Sequence, residues 1–319
     1  MKNVIKILIA ALVGTVSLNG ADVIYSNASK DCFGFDAVLT YDIGGGYRQD
    51  NLKLTAFPTP PPNMPAEEFH LKWNNLEMGV VETNAQFLAC DHYLVKMDFD
   101  FGWFTNENGH QTTKSIEIDT DILDQYLKSP TQGRVYDISG AIGYQFNWCC
   151  FRYALTPLLG YSYHYQNLTN RKFTNVLNPD QNPNLKTNAR YRWRGATLGF
   201  TATAQVCPEW LWYFTYEFHW LRFRGVIDEW MNRDTPSETK LVVDQKCNGA
   251  HGNEFILGTM YQFCDDWFLG FKVDYKNFWG NKGSFTVETV LPHSVSPSQP
   301  FHNLRWNSLI ITMDVGYIF

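Results

Sequence analysis

The last seventeen residues of the chain, 303–319, read NLRWNSLIITMDVGYIF. Leu309, Ile311, Met313, Val315, Tyr317 and Phe319 share one phase, while Ser308, Thr312, Asp314 and Gly316 fall on the other. Strict alternation of this kind is the mark of a β-strand with one apolar face. An apolar face this long must be covered, either by a second sheet, as in a soluble sandwich, or by lipid. The rest of the chain decides between the two.

The same period returns nine more times. The alternation predicts strands over 33–47, 68–83, 93–103, 135–146, 151–165, 188–206, 210–224, 253–263 and 267–279, with 303–319 as the tenth. In 151–165 the apolar phase holds Phe151, Tyr153, Leu155, Pro157, Leu159, Tyr161, Tyr163 and Tyr165, against Arg152, Thr156, Gly160, Ser162 and His164. Eight such positions exceed the five or six residues of an average soluble strand. They suit a tilted strand that crosses a bilayer between aromatic ends. The intervening segments alternate in length. Those at 48–67, 105–133, 169–187, 227–250 and 281–302 are long and rich in Pro, Asn and charge, while those at 84–92, 147–150, 207–209 and 264–266 are short. Five long loops on one side and four short turns on the other is the asymmetry of a transmembrane antiparallel β-barrel; a sandwich has no reason for it.

Composition agrees. Aromatic residues make up 16% of the chain, with 11 Trp, 17 Tyr and 23 Phe, yet mean hydropathy is only −0.29. A barrel reconciles the two numbers, because half of each strand meets lipid and half a polar interior. Residues 1–20 carry Lys2 and Lys6, an apolar core from Ile7 to Val13, and small residues near Ala21. This order predicts a secretory signal peptide, leaving 21–319 as a single barrel domain. A net charge of −6 without a basic tract excludes nucleic acid as a partner.

The inward phase collects Asp36, Asp42, Glu77, Lys96, Asp98, Asp100, Asp137, Arg152, His164, Glu217, His219, Lys272, Asp274, Lys276 and Asp314. Charges of both signs in a ten-strand lumen are expected to pair and close it. A non-conducting barrel is therefore expected ahead of a narrow or substrate-specific porin. No cysteine and histidine spacing signals a metal ion and no cofactor motif is present, so neither is expected; His219 and His251 read as barrel-wall or loop histidines.

Ten strands in about 300 exported residues resemble the omptins, outer-membrane proteases. Leu71-Lys72-Trp73-Asn74-Asn75, Gly102-Trp103 and the Tyr317-Ile318-Phe319 ending are similar to omptin sequences at corresponding places in the barrel. The resemblance implies an outer membrane of a Gram-negative bacterium, contact with membrane lipids and lipopolysaccharide, and a terminal strand whose Tyr317 and Phe319 are read by the barrel-assembly machinery. Omptin chemistry sets an Asp pair against an Asp–His dyad that activates water. Asp119 and Asp121 resemble the pair. Asp228-Glu229-Trp230 stands where the dyad belongs, with Trp in place of His. Indole accepts no proton at working pH, so a non-enzymatic role is expected. An omptin-like barrel with cysteines and without the histidine is closer to the Protochlamydia outer membrane protein family.

Seven cysteines remain. Cys90, Cys207 and Cys264 open similar turns, Cys-Asp-His-Tyr, Cys-Pro-Glu-Trp and Cys-Asp-Asp-Trp. Cys149 and Cys150 occupy the fourth short turn, and Cys32 lies at the same end. Intramolecular disulfides are one reading, since an exported protein meets oxidising conditions. Neighbouring turns nevertheless sit two strands, about 10 Å, apart, beyond the roughly 7 Å Cα limit of a disulfide. The resemblance implies the other reading, in which these thiols cross-link to further envelope proteins. Last, Arg190, Arg192 and Arg194 form an alternate-residue guanidinium row at the outer end of their strand, with the geometry to bind lipid A phosphates.

Overall fold

In the computed structural model the described residues are 37–56, 67–104, 109–117, 123–148, 152–178, 185–231, 239–290 and 294–319. The expected signal peptide, Cys32, Asp36, Asp119, Asp121, Cys149 and Cys150 lie outside them. The strands in chain order are β1 (Ala37–Ala56), β2 (Glu67–Ala89), β3 (Tyr93–Phe104), β4 (His110–Glu117), β5 (Leu123–Tyr144), β6 (Phe146–Trp148), β7 (Tyr153–Arg171), β8 (Thr174–Asn175), β9 (Leu185–Cys207), β10 (Trp210–Met231), β11 (Thr239–Gln262), β12 (Trp267–Gly280), β13 (Gly283–Thr289), β14 (Ser294–Val295) and β15 (Gln299–Ile318).

Ten of them close a ring. The order is β1-β2-β3-β5-β7-β9-β10-β11-β12-β15, and β15 returns to pair antiparallel with β1, Tyr41 opposite Tyr317 and Tyr47 opposite Ile311. Every strand of the ring overlaps one of the ten periodic segments of the sequence. Closure removes the unpaired edges that an open sheet would leave.

The strands run farther outward than expected. Much of 48–67, 105–133, 169–187, 227–250 and 281–302 is not loop but continued ladder, completed by β4, β8, β13 and β14. The reason is an inversion of the hydrophobic pattern. On the lower part of β1, Ile43 and Tyr47 face outward and Asp42 inward; above Arg48 and Asp50, the inward residues are Leu52, Leu54 and Ala56, and the outward Lys53 is exposed. On β10 the outward face passes from Trp220 to the exposed Arg222 and Arg224, while the inward face passes from His219 to Leu221 and Phe223. Below the inversion the exterior is apolar, as lipid requires; above it the exterior is polar and the interior is a hydrophobic core. Ten residue steps from Tyr93 to Trp103 on β3, at about 3.4 Å each and tilted about 40°, cover an outward apolar band about 25 Å tall.

Bulges help to set the change of phase. On β2 both Trp73 and Leu76 are buried inward, which needs an extra residue between them. Asn75 supplies it with φ 52°, a left-handed conformation that Asn tolerates. Asn303 does the same on β15 with φ 53°, between the inward Phe301 and Leu304. The bulge on β2 corrects one inward assignment: Leu76, Met78 and Val80 line the lumen and Glu77 faces out. Arg152 is likewise not lumenal but exposed beside a turn.

Candidate functional site: a closed lumen and a cationic outer rim

Two layers fill the middle and upper lumen. The lower of them is ionic and centred on Arg48, which is wholly buried. Its Nε and Nη2 donate to the two carboxylate oxygens of Asp50 at 2.9 and 3.1 Å, and Nη1 donates to Asp137 at 2.9 Å. Lys276 from β12 lies 3.0 Å from Asp137, 3.2 Å from Asp274, and 3.5 Å from both Asp100 and Glu254. Lys272 pairs with Glu82 at 2.9 Å, and His164 approaches Asp137 at 3.2 Å. Alternation places these groups, since each is an inward residue of its strand. Among the described residues, the lumen of the ring from Asp42 to Asp50 on β1, and its neighbours at that height, carries ten carboxylates (Asp42, Asp50, Glu82, Asp98, Asp100, Asp137, Glu217, Glu254, Asp274 and Asp314) against four cations (Arg48, Lys96, Lys272 and Lys276).

Above it lies an aromatic layer. Trp73, Tyr191, Trp193, Phe223, Phe278 and Trp306 are all at most 2% exposed and belong to one core cluster. Trp193 meets Phe223 at 4.7 Å between ring centroids, and Phe278 meets Trp306 edge-on at 5.0 Å. Arg48 stacks its guanidinium 5.5 Å from the Trp306 ring, tying the two layers together. Beneath the ionic layer, toward the short turns, is a cavity of about 70 Å³ bordered by Asp42, Asn84, Lys96, Lys272 and Asp314.

Of the residues expected from the omptin resemblance, Asp119 and Asp121 lie outside the described residues, and Asp228 and Trp230 stand on β10. Asp228 sits on the outward phase of β10, opposite in phase to the lumenal Ile227. Arg190 holds it at 2.7 Å and Lys240 at 3.3 Å. Trp230 shares that outward phase, with the ammonium groups of Lys186 and Lys240 5.0 and 5.2 Å from its ring. Arg190, Arg192 and Arg194 are also outward, alternating with the buried Ala189, Tyr191 and Trp193. Sequence reasoning missed their partners on the next strand: Arg192 is registered with Arg224, and Arg194 with Arg222. Like charges directly opposed across a ladder are unfavourable. Asp244 takes up Arg224 at 3.3 Å, and Arg192 leans on the Tyr165 ring at 5.7 Å.

At the opposite end the short turns hold their cysteines. Cys90 and Cys264 are exposed, Cys207 is half-buried, and Cys247 on β11 is buried among outer-end residues; all four are free thiols. Tyr317 and Phe319 stack edge-on at 4.6 Å beside Trp267, in the aromatic girdle at this end.

A closed ten-strand antiparallel ring, apolar outside and ionic within, is a transmembrane β-barrel of the outer membrane. The chain belongs to the Protochlamydia outer membrane protein (Pom) family, whose model matches residues 42–319. Among solved structures it is similar to the outer membrane protease OmpT from Escherichia coli, with a TM-score of 0.76 at 12% identity, covering 91% of this chain and 100% of that one. A monoaromatic hydrocarbon channel, the TodX deltaS2S3 mutant, aligns over 88% of this chain and 90% of its own at 9% identity with a TM-score of 0.34. No curated protein matches the chain. The likeness to OmpT is one of fold.

Proposed function

We propose that this protein is a non-enzymatic structural barrel of the cell envelope, closed to diffusion, rather than a narrow porin or an outer-membrane protease. The observation that carries this reading is the pair of stacked layers across the lumen, in which Arg48, Trp73, Trp193, Phe278 and Trp306 are buried to 1% or less. A solute crossing the barrel must break ion pairs in a low-dielectric interior and displace a packed aromatic core, and each of those steps is expensive. Against a protease of the omptin kind stand Trp230, which offers no base, and the outward placement of Asp228 in an ion pair. The test is single-channel recording in planar bilayers with the purified full chain. No unitary steps are expected; reproducible open levels would establish the porin instead, and cleavage of dibasic peptides that Asp121→Ala abolishes would establish the protease.

Two surfaces fit an envelope role. The exposed thiols of Cys90 and Cys264, and the half-buried Cys207 at the same end of the barrel, are on the periplasmic side in this reading, where disulfides to other envelope proteins can form. The outward row of Arg190, Arg192 and Arg194, widened by Arg222 and Arg224, stands just above the apolar band, at the level of lipid A phosphates, which guanidinium groups bind bidentately.

A further inference from the structure

We propose that Glu217, His219 and Glu254 form a divalent-metal site in the barrel lumen, suited to a borderline transition-metal ion and to zinc first. The proposal is independent of whether the lumen conducts. Glu217 and His219 are inward neighbours two apart on β10, and Glu254 on β11 stands directly opposite Glu217 in the ladder. Two carboxylates in a cross-strand pair repel each other, and burial at 7% and 8% exposure sharpens the repulsion. Something positive between them removes it. Among the described residues the lumen is short of cations, with four against ten carboxylates, and the two that act on this pair are shared: Lys276 lies 3.5 Å from the other oxygen of Glu254 and closer to Asp137 and Asp274, and Lys96, which acts on Glu217, is paired with Asp98 at 3.2 Å.

His219 supplies the second, independent observation. Its side chain is fully buried, and Nε2 has no hydrogen-bond partner although Glu254 Oε2 is only 3.1 Å away. The nitrogen and the oxygen thus stand at ion-pair distance without a well-formed hydrogen bond between them. Nδ1 lies 3.0 Å from Ser162 Oγ. A proton on Nδ1 donated to that hydroxyl leaves Nε2 as a lone pair facing the carboxylates, the arrangement that orients metal-binding imidazoles. The candidate ligand atoms of the three residues lie within 4.8 Å of one another. Zinc bonds of about 2.0–2.1 Å put tetrahedral ligands about 3.4 Å apart, close to the His219–Glu254 separation; Glu217, whose oxygen is 4.0 Å from Nε2, needs a small inward swing. One imidazole and two carboxylates balance the charge of a divalent ion and fit zinc better than a soft or an all-oxygen cation. Phe278 packs on the His219 ring at 5.0 Å and closes the site from above.

The test is elemental analysis and zinc titration of the full chain, purified in detergent after zinc chloride and then mild chelation, with cobalt substitution read by visible absorption. About one zinc per folded chain is expected. His219→Gln and Glu254→Gln are expected to abolish it, and Ser162→Ala to weaken it about 10- to 100-fold. Asp42→Asn removes a lumenal carboxylate away from the triad and is expected to leave the metal content unchanged. Heat-modifiable gel mobility confirms that each variant is a folded barrel. A folded wild type without zinc, equal uptake by His219→Gln, or equal loss in Asp42→Asn overturns the site, the last by assigning the ion to diffuse lumenal charge.

Discussion

Arg48 offers the sharpest test of how this barrel is held. Replacing it by Met keeps the volume of the side chain but removes three charge-assisted hydrogen bonds, two to Asp50 and one to Asp137. The two carboxylates fare differently. Asp137 retains Lys276 at 3.0 Å and His164 at 3.2 Å, whereas Asp50 keeps only the amide of Gln166 at 2.9 Å among its hydrogen bonds. Asp50 thus becomes a buried, uncompensated charge, a change that costs about 3–5 kcal/mol. At 1.4 kcal/mol per decade, the middle of that range lowers the folding equilibrium by about a thousandfold. Urea unfolding in detergent micelles, followed by the compact-to-extended shift on cold gels, measures the loss. Neutralising the orphan should restore part of it, so Arg48→Met with Asp50→Asn is expected to be about 2 kcal/mol more stable than the two single losses sum to. A single-variant loss below about 1 kcal/mol, or strict additivity in the cycle, refutes the argument that this ion pair organises the ionic layer.

Other perturbations follow from the same structure. Gly46→Ala drives a Cβ into the backbone carbonyl of Ile311, so the seam between β1 and β15 must open; a loss of about 1–3 kcal/mol is expected in the same urea assay. Deleting Phe319, whose ring is exposed in the girdle and whose backbone exchanges hydrogen bonds with Leu39 at 2.8 and 3.4 Å, is expected to lower the amount of barrel assembled in the membrane while costing the assembled barrel no more than about 1–3 kcal/mol for the two lost bonds. Wild-type envelopes are expected to give a slow-migrating species on gels run without reductant, and replacing Cys90, Cys207 and Cys264 together by Ser is expected to diminish it; if envelopes carrying the wild type release monomer alone under those conditions, intermolecular cross-linking is wrong. Arg192→Gln with Arg194→Gln is expected to lower the lipopolysaccharide that co-purifies with the barrel, and unchanged lipid content would remove the outer row from any role in binding.

The two halves of the barrel were unequally legible in the sequence, and the difference is physical. Within the bilayer, lipid forces one face to be apolar, and narrow lumenal space forces the other to be small or polar, so the period stands out. Ile311, Met313 and Val315 against Thr312 and Asp314 could be assigned to faces from the sequence, and the structure places them so. Above the bilayer, water replaces lipid and the sign of the alternation reverses. Arg190, Arg192 and Arg194 against Ala189, Tyr191 and Trp193 alternate as strictly as any lower segment, yet with the polar phase outside. A reading that expects apolar residues outward assigns such stretches to loops or to the wrong face, and so it turns Glu77 inward where the structure has it outward. The lumenal triad was hidden for a related reason: Glu217 and His219 are adjacent in phase, but Glu254 reaches them only through the β10–β11 register, which is shifted by a bulge between Leu221 and Phe223. No spacing along the chain encodes that.

The inversion also carries information of its own. On β1 it falls between Tyr47 and Lys53, on β10 between Trp220 and Arg222, and on β15 between Ile311 and Arg305. On the paired β1 and β15 the two places coincide, because Tyr47 is registered with Ile311 and Leu52 with Trp306. The change of sign therefore traces the upper edge of the bilayer around the barrel. The aromatic layer formed by Trp193, Phe278 and Trp306 lies at this edge, where the outer surface no longer gains from burial in lipid and the inner surface must supply the hydrophobic core. The packed interior is then what stabilises the barrel's extension beyond the membrane. A wall that stands in water on the outside gains nothing from lipid, and in this chain the aromatic layer supplies the buried apolar surface instead.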